Sequence, residues 1–215
     1  MGRSPWTRVF AAAVLFMAVM TMAGDVAATG DPRSQPISQP ATMALDDVIA
    51  QIEAEDGVLC FDVAEDGTRF AWAGDPELVD GMPAGSTPYV TQGYIYPEGT
   101  LGEGNGVNAD GSPEFPDKVI GQWSCWGWHL AASGHAERAP WLTTHLFNFG
   151  DAYGQASRIS EGYGIDEIGV ALERVVSGGT GPYAGATGVQ RETNLGFNSS
   201  NGMNFRYELR LSGAE

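Results

Sequence analysis

Between Asn204 and Leu211 the chain reads NFRYELRL, in which Phe205, Tyr207, Leu209 and Leu211 alternate with Asn204, Arg206, Glu208 and Arg210. Side chains alternate across a strand, so this period of two predicts a strand with one buried and one wet face and is incompatible with a helix. Such a strand needs partners. Candidates are VLCFDVA (58–64), TRFAWA (68–73), PYVTQGYIY (88–96), VIGQWSCWGWHL (119–130), WLTTHLFNFG (141–150), SRISEGYG (157–164), IGVALERVV (168–176) and GVQRETNLGF (188–197). The first two are expected to form a hairpin through a Glu-Asp-Gly turn. The glycines and prolines of PEGTLGEGNGVNADGSPEFPD (97–117) read as a long loop, expected at the mouth of the fold. Roughly eight strands with no helix among them predict an all-β barrel or sandwich. Pattern alone leaves both open.

Upstream of the strands the chain changes character. Two arginines precede an apolar run from Val9 to Met22 that ends in small residues. That is the make-up of a signal peptide (1–28), its apolar core too short to span a bilayer comfortably. Residues 29–56 read as a linker, with DPRSQPISQP giving way to a short helix over MALDDVIAQIEA (43–54). Residues 57–215 are one domain. The mature protein is expected to be secreted, with no stable membrane insertion after cleavage. The formal charge of -16, with 27 acidic residues against 11 basic ones, repels phosphate backbones, so nucleic acid is not an expected partner. Cys60 and Cys125 are the two cysteines. In an exported chain such a pair is most often a disulfide, with a functional free thiol as the minority reading.

The tryptophan-rich run GQWSCWGWH (121–129) carries the most chemistry. Alternation puts Trp123, Cys125, Gly127 and His129 on one face and Ser124, Trp126 and Trp128 on the other. The first face leaves room beside a thiol and an imidazole, as a cavity wall would. The second would bury well against a neighbouring subunit. His129, His135 and His145 match no zinc or facial-triad spacing, so no metal is expected, and only His129 falls on the proposed luminal face. Its ordinary pKa near neutrality suits a general acid or base; a hydrogen-bonded structural histidine is the competing reading. No serine sits in a nucleophile elbow. Asn198-Ser-Ser is a glycosylation acceptor only in a suitable host. Gly178, Gly179 and Gly181 lie before a strand-like segment, which rules out a dinucleotide loop and makes them architectural. No cofactor is implied.

Two segments carry a resemblance. HLFNFGDAYGQASRISEGYG (145–164) and VVSGGTGPYAGATGVQ (175–190), followed by NFRYELRL, resemble in order and spacing the barrel shared by allene oxide cyclases and dirigent proteins. The resemblance covers about residues 57–211. It implies an eight-stranded antiparallel closed barrel, often a homotrimer, enclosing a small apolar molecule. By that resemblance Asp62 takes the place of a cavity glutamate, and Ala64 the place of a water-holding asparagine, which it cannot replace. The implied site is Asp62 to polarise or accept a proton and His129 as a second acid/base. Trp123, Cys125 and Tyr183 would form the ligand-binding wall. Period two then puts Cys60 in the lumen with Asp62, where it could bridge Cys125 and close a loop worth roughly 4 kcal/mol. Three readings follow: an isomerase, cyclase or coupling barrel; a carrier of a lipid-like ligand; and a structural or surface-interaction barrel.

Overall fold

The computed structural model describes residues 44–53, 58–79, 82–83, 86–130 and 141–212. The expected signal peptide and most of the linker lie outside the described residues. The chain opens with helix α1 (Leu45–Ile52), then strands β1 (Val58–Glu65), β2 (Ala71–Trp72), β3 (Leu78–Val79), β4 (Met82–Pro83), β5 (Thr87–Pro97), β6 (Gly121–His129) and β7 (Trp141–Phe149). Strands β8 (Ser157–Gly164), β9 (Ala171–Gly179), β10 (Thr187–Phe197) and β11 (Met203–Ser212) complete it. Each of β5 to β10 pairs antiparallel with the next, and β1 pairs with both β11 and β5. That double pairing closes eight strands into a barrel with no free edge, which decides barrel over sandwich.

Parity then sorts the walls. Leu59, Phe61 and Val63 of β1 point inward, as do Phe147 and Phe149 of β7 and Phe205, Tyr207 and Leu209 of β11. Phe61 stands edge-on to Phe147 at 5.1 Å and to Phe149 at 5.3 Å between centroids, the geometry that aromatic quadrupoles favour. Helix α1 packs against β1 and β7 and presents Val48 and Ile52 to this cluster. It thereby covers the end of the barrel where β1 begins. Gly181 (φ +59°) takes the Gly-Gly-Thr-Gly turn at that same end. A Cβ there would stand 1.8 Å from the Gln155 carbonyl oxygen, so the turn tolerates only glycine.

Two expectations are corrected. The 68–73 segment does not form a hairpin with β1; its strand, β2, pairs with β5 through Ala71↔Val90. The cause is Asp66, whose carboxylate accepts from the Thr68 amide at 2.9 Å and from Arg69 Nε at 3.0 Å, winding Gly67–Arg69 into a 3-10 turn. The long loop, expected at the mouth, lies on the outside of the wall. Leu101 and Val107 pack there on Ala64, Tyr94 and Tyr96. Tyr94 and Tyr96 donate to the carbonyls of Gly111 (2.9 Å) and Gly106 (2.7 Å), and Asn204 donates to those of Gly102 and Asn105. Outward polar groups of β1, β5 and β11 thus pin the loop as a strap. Asn198 belongs to the same kind of stitching. It is buried and donates to the Glu65 carbonyl at 2.8 Å, so its amide is not presented for glycosylation.

Candidate functional site

The tryptophan strand β6 splits as its alternation predicts. Trp123, Cys125 and His129 are buried inside the barrel, whereas Trp126 and Trp128 are exposed on its outer surface. Cys125 lies 3.4 Å from the Tyr89 hydroxyl, and burial pushes its thiol far up, so it is a neutral wall group and no thiolate. His129 sits against Trp141, ring centroids 4.9 Å apart, and burial lowers its pKa despite a hydrogen bond to the Pro83 backbone. Tyr183 is buried at the helix-capped end.

Asp62 and Cys60 fall on the other side of the wall from the one expected. Phe61 and Val63 take the inward positions of β1, so Asp62 points outward beneath the strap. Its carboxylate accepts from the Leu101 amide at 2.9 Å and from Arg206 Nε at 2.9 Å and Nη2 at 3.3 Å. Every contact is structural, and none faces the lumen. The disulfide fails for the same reason: Cys60 is outside, Cys125 inside, strand β5 intervenes between β1 and β6, and both thiols are free.

The polar centre of the lumen is made by Arg174 and Glu192, which sequence reasoning passed over, and by His145, which was expected off the luminal face and lies on it. Register aligns Cys125 of β6 with His145 of β7 and Ser160 of β8, so His145 is luminal beside the predicted face. Arg174 of β9 and Glu192 of β10 also point inward, and both are buried. Glu192 Oε2 lies 3.5 Å from His145 Nδ1 and 3.7 Å from Arg174 Nη1. The Tyr207 hydroxyl is 3.3 Å from His145 Nδ1, and Thr143 Oγ1 is 3.3 Å from Nε2. Arg174 donates to Thr143 Oγ1 through Nη1 and to the Thr143 carbonyl through Nη2 at 2.8 Å. With its oxygen occupied by Arg174, the Thr143 hydroxyl has its proton free for His145 Nε2. The hydrogen-bond network therefore assigns the proton of a neutral His145 to Nδ1, where the Tyr207 hydroxyl is the acceptor and Glu192 Oε2 stands close without a hydrogen bond.

Burial sets the protonation of this group. It holds His145 well below its ordinary pKa, an effect that Arg174 reinforces. It raises Glu192 to about 7, Arg174 pulling in the opposite direction without cancelling it. Glu192 is thus poised to give or take a proton near neutrality. Nearby, burial lifts Asp166 to about 6 although the Trp141 indole donates to it at 2.7 Å, and Glu65 is lifted as well. Among the described residues no three of His, Cys, Asp and Glu converge to hold a metal ion. Several buried polar groups here lack a hydrogen-bond partner: Ser160 Oγ, the indole N–H of Trp123, both amide atoms of Gln190, and Glu192 Oε2 itself. Buried polar atoms are nearly always satisfied, so a cluster of exceptions on inward faces marks a place for water or ligand.

A closed eight-stranded antiparallel barrel with one end capped and a polar interior is an allene oxide cyclase/dirigent-like barrel in fold. Two solved pterocarpan synthase dirigent proteins are similar to it, each at 13% sequence identity. One has a TM-score of 0.54 and covers 74% of this chain and 95% of its own; the other has 0.52, with 72% and 82%. A pyocyanin demethylase aligns over 72% of this chain and 99% of its own at 14% identity, with a TM-score of 0.46. No family model and no curated protein matches the chain.

Proposed function

We propose that this barrel binds a small, largely apolar molecule in its lumen and steers an isomerisation or cyclisation of it by proton transfer at Glu192. The observation that carries this reading is the buried Glu192–His145–Arg174 group, with its carboxyl titrating near neutrality inside a closed wall. Glu192 is the general acid/base, and the Tyr207 hydroxyl, which accepts from His145, donates to Glu192 and fixes its orientation. Arg174 holds negative charge that develops near the carboxylate. Aromatic walls from Trp123, Phe205 and Phe147 restrict the conformers of the bound molecule, which is how a shape-selective barrel lowers the entropy cost of ring closure. The chemistry needs no co-reactant, because an isomerisation returns the proton that it takes.

Two measurements test this. Isotope-edited infrared titration of the Glu192 carboxyl, with E192Q removing the band, should give a midpoint near neutral pH. A midpoint in the ordinary carboxylate range would end the acid/base role. Binding of the neutral dye N-phenyl-1-naphthylamine, read by quenching of the luminal tryptophans, should disappear when V176W fills the lumen of a folded variant. Unchanged binding in V176W would put the ligand elsewhere. Secretion and self-association belong to the same proposal. The outer row Pro88, Trp128, Leu142 and Tyr163 runs across four strands in register, with Trp128, Leu142 and Tyr163 exposed, and supports association between copies.

A further inference from the structure

Arg158 of β8 is 1% exposed, and Nε, Nη1 and Nη2 all lack a hydrogen-bond partner. It is the largest fully buried side chain among the described residues. Its register partner on β7 is Phe147, whose ring is luminal, so Arg158 points inward at the helix-capped end. The guanidinium carbon lies 3.4 Å from the centroid of the Tyr183 ring and 6.0 Å from that of Phe149. The Tyr183 hydroxyl is itself buried, and its electrostatic partner is the Arg158 guanidinium. Among the described residues no acidic side chain is within ion-pair distance of Arg158, in contrast to Arg69, Arg174, Arg191 and Arg206, all of which have one; exposed Glu53 acts on it only from farther off.

A buried cation whose company is two π faces, the Tyr183 hydroxyl and the distant field of Glu53 is costly, because these return only part of a far larger desolvation penalty. Proteins keep such a group where a partner arrives from outside. A guanidinium offers five N–H donors in a planar fork, which fits the two oxygens of a carboxylate. One arginine balances one negative charge, and the rings beside it, of Phe149, Tyr183 and the register partner Phe147, are apolar. A phosphate dianion would remain half uncompensated there, on a protein that already carries -16.

We propose that Arg158 anchors the carboxylate of the luminal ligand, which makes that ligand an organic acid with an apolar body. The acid group sits at the helix-capped end, and the body extends toward Glu192 and His145. The anchor therefore sets which carbon of the ligand reaches the proton-transfer group. This inference rests on the reading of the lumen as a ligand site.

The test uses matched acid and alcohol probes that share an apolar body: octanoate with octanol, and 4-phenylbutyrate with 4-phenylbutanol. Affinities are measured by calorimetry on the full chain, wild type, R158M and R158K, with circular dichroism as the folding check. Wild type should bind each acid at least about tenfold more tightly than its alcohol. R158M should lose that preference while keeping its affinity for the alcohols, and R158K should retain part of it. Should R158M fail to fold, R158K against wild type carries the comparison. Equal binding of acid and alcohol by wild type, or an undiminished preference in R158M or R158K, overturns the anchor and leaves the lumen reading standing. Binding of neither pair by wild type overturns both.

Discussion

Two carboxylates, Asp62 and Glu192, stand on opposite sides of one barrel wall, and each has an arginine beside it. Asp62 is fully buried under the strap, yet its oxygens are satisfied by the Leu101 amide and a two-toothed contact from Arg206. Glu192 is just as buried, but Arg174 spends its best hydrogen bonds on Thr143 and Tyr163 and leaves the carboxylate at 3.7 Å. The first carboxylate is held in place; the second is left under-solvated and near its titration point. Burial does not distinguish a structural acid from one held near its titration point. The completeness of the hydrogen bonding around it does.

The contrast between the two sides is sharpest for the thiols. Iodoacetamide should modify Cys60 in the native protein and reach Cys125 only through opening of the barrel, slower by roughly three orders of magnitude or more. Comparable rates at both, followed by peptide mapping, would dissolve the inside–outside assignment. Next, D62A removes the partner of a buried ion pair and frees the strap. It should cost about 3 kcal/mol and lower Tm by on the order of 10 °C, as measured by calorimetry. An unchanged Tm would mean that the strap is not held by this pair.

For Glu192 the pH dependence has a definite sign. Its folded pKa lies above its unfolded one, so the folded state binds more protons between about 4.5 and about 7, and stability falls as pH rises through that window. E192Q cannot ionise, so its stability relative to wild type should rise with pH by up to about 1.4 kcal/mol per unit and level off above neutrality. Denaturation series at pH 5, 6, 7 and 8 give the slope; a flat difference would return Glu192 to the class of Asp62. The smallest effect on stability belongs to the outer surface. W128E should change the unfolding free energy by less than about 0.5 kcal/mol while reducing the sedimentation coefficient of any self-associated species. A wild type that sediments as a monomer would remove the case for assembly through this row.

These contrasts also explain what the sequence made legible. Strand β6 alternates cleanly because it has one face in the lumen and one toward solvent, and β11 because its outward residues are polar, partly toward the strap and partly toward solvent; their inward sets follow from the sequence alone. Strand β1 is buried on both faces, outward by the strap and inward by the core, so VLCFDVA has no polar side to orient it. The resemblance set Asp62 inside, period two carried Cys60 with it, and nothing in the segment opposed that placement. Strand β10 misleads in the opposite way: Gln190, Glu192 and Asn194 line the interior with side chains that read as solvent-facing. His145 could have been found by aligning 141–149 against 121–129, since antiparallel pairing sets it beside Cys125. Arg174 and Glu192 give no such cue, because nothing in ALERVV or VQRETN signals a polar lumen.

The seam formed by β1 carries a consequence for how the molecule is made. Its pairing of Val58 with Arg210 joins the beginning and end of the folded chain, and no shorter-range contact can substitute for it. Loop-closure entropy has to be overcome before the ladder returns any energy, so folding should be slow and the wall should form late, as one event. The same seam makes escape difficult. Once β1 is zipped to both β5 and β11 there is no frayed strand from which unravelling can spread. Persistence in a harsh environment then depends on the height of the unfolding barrier, with no covalent cross-link between the two thiols to supply it.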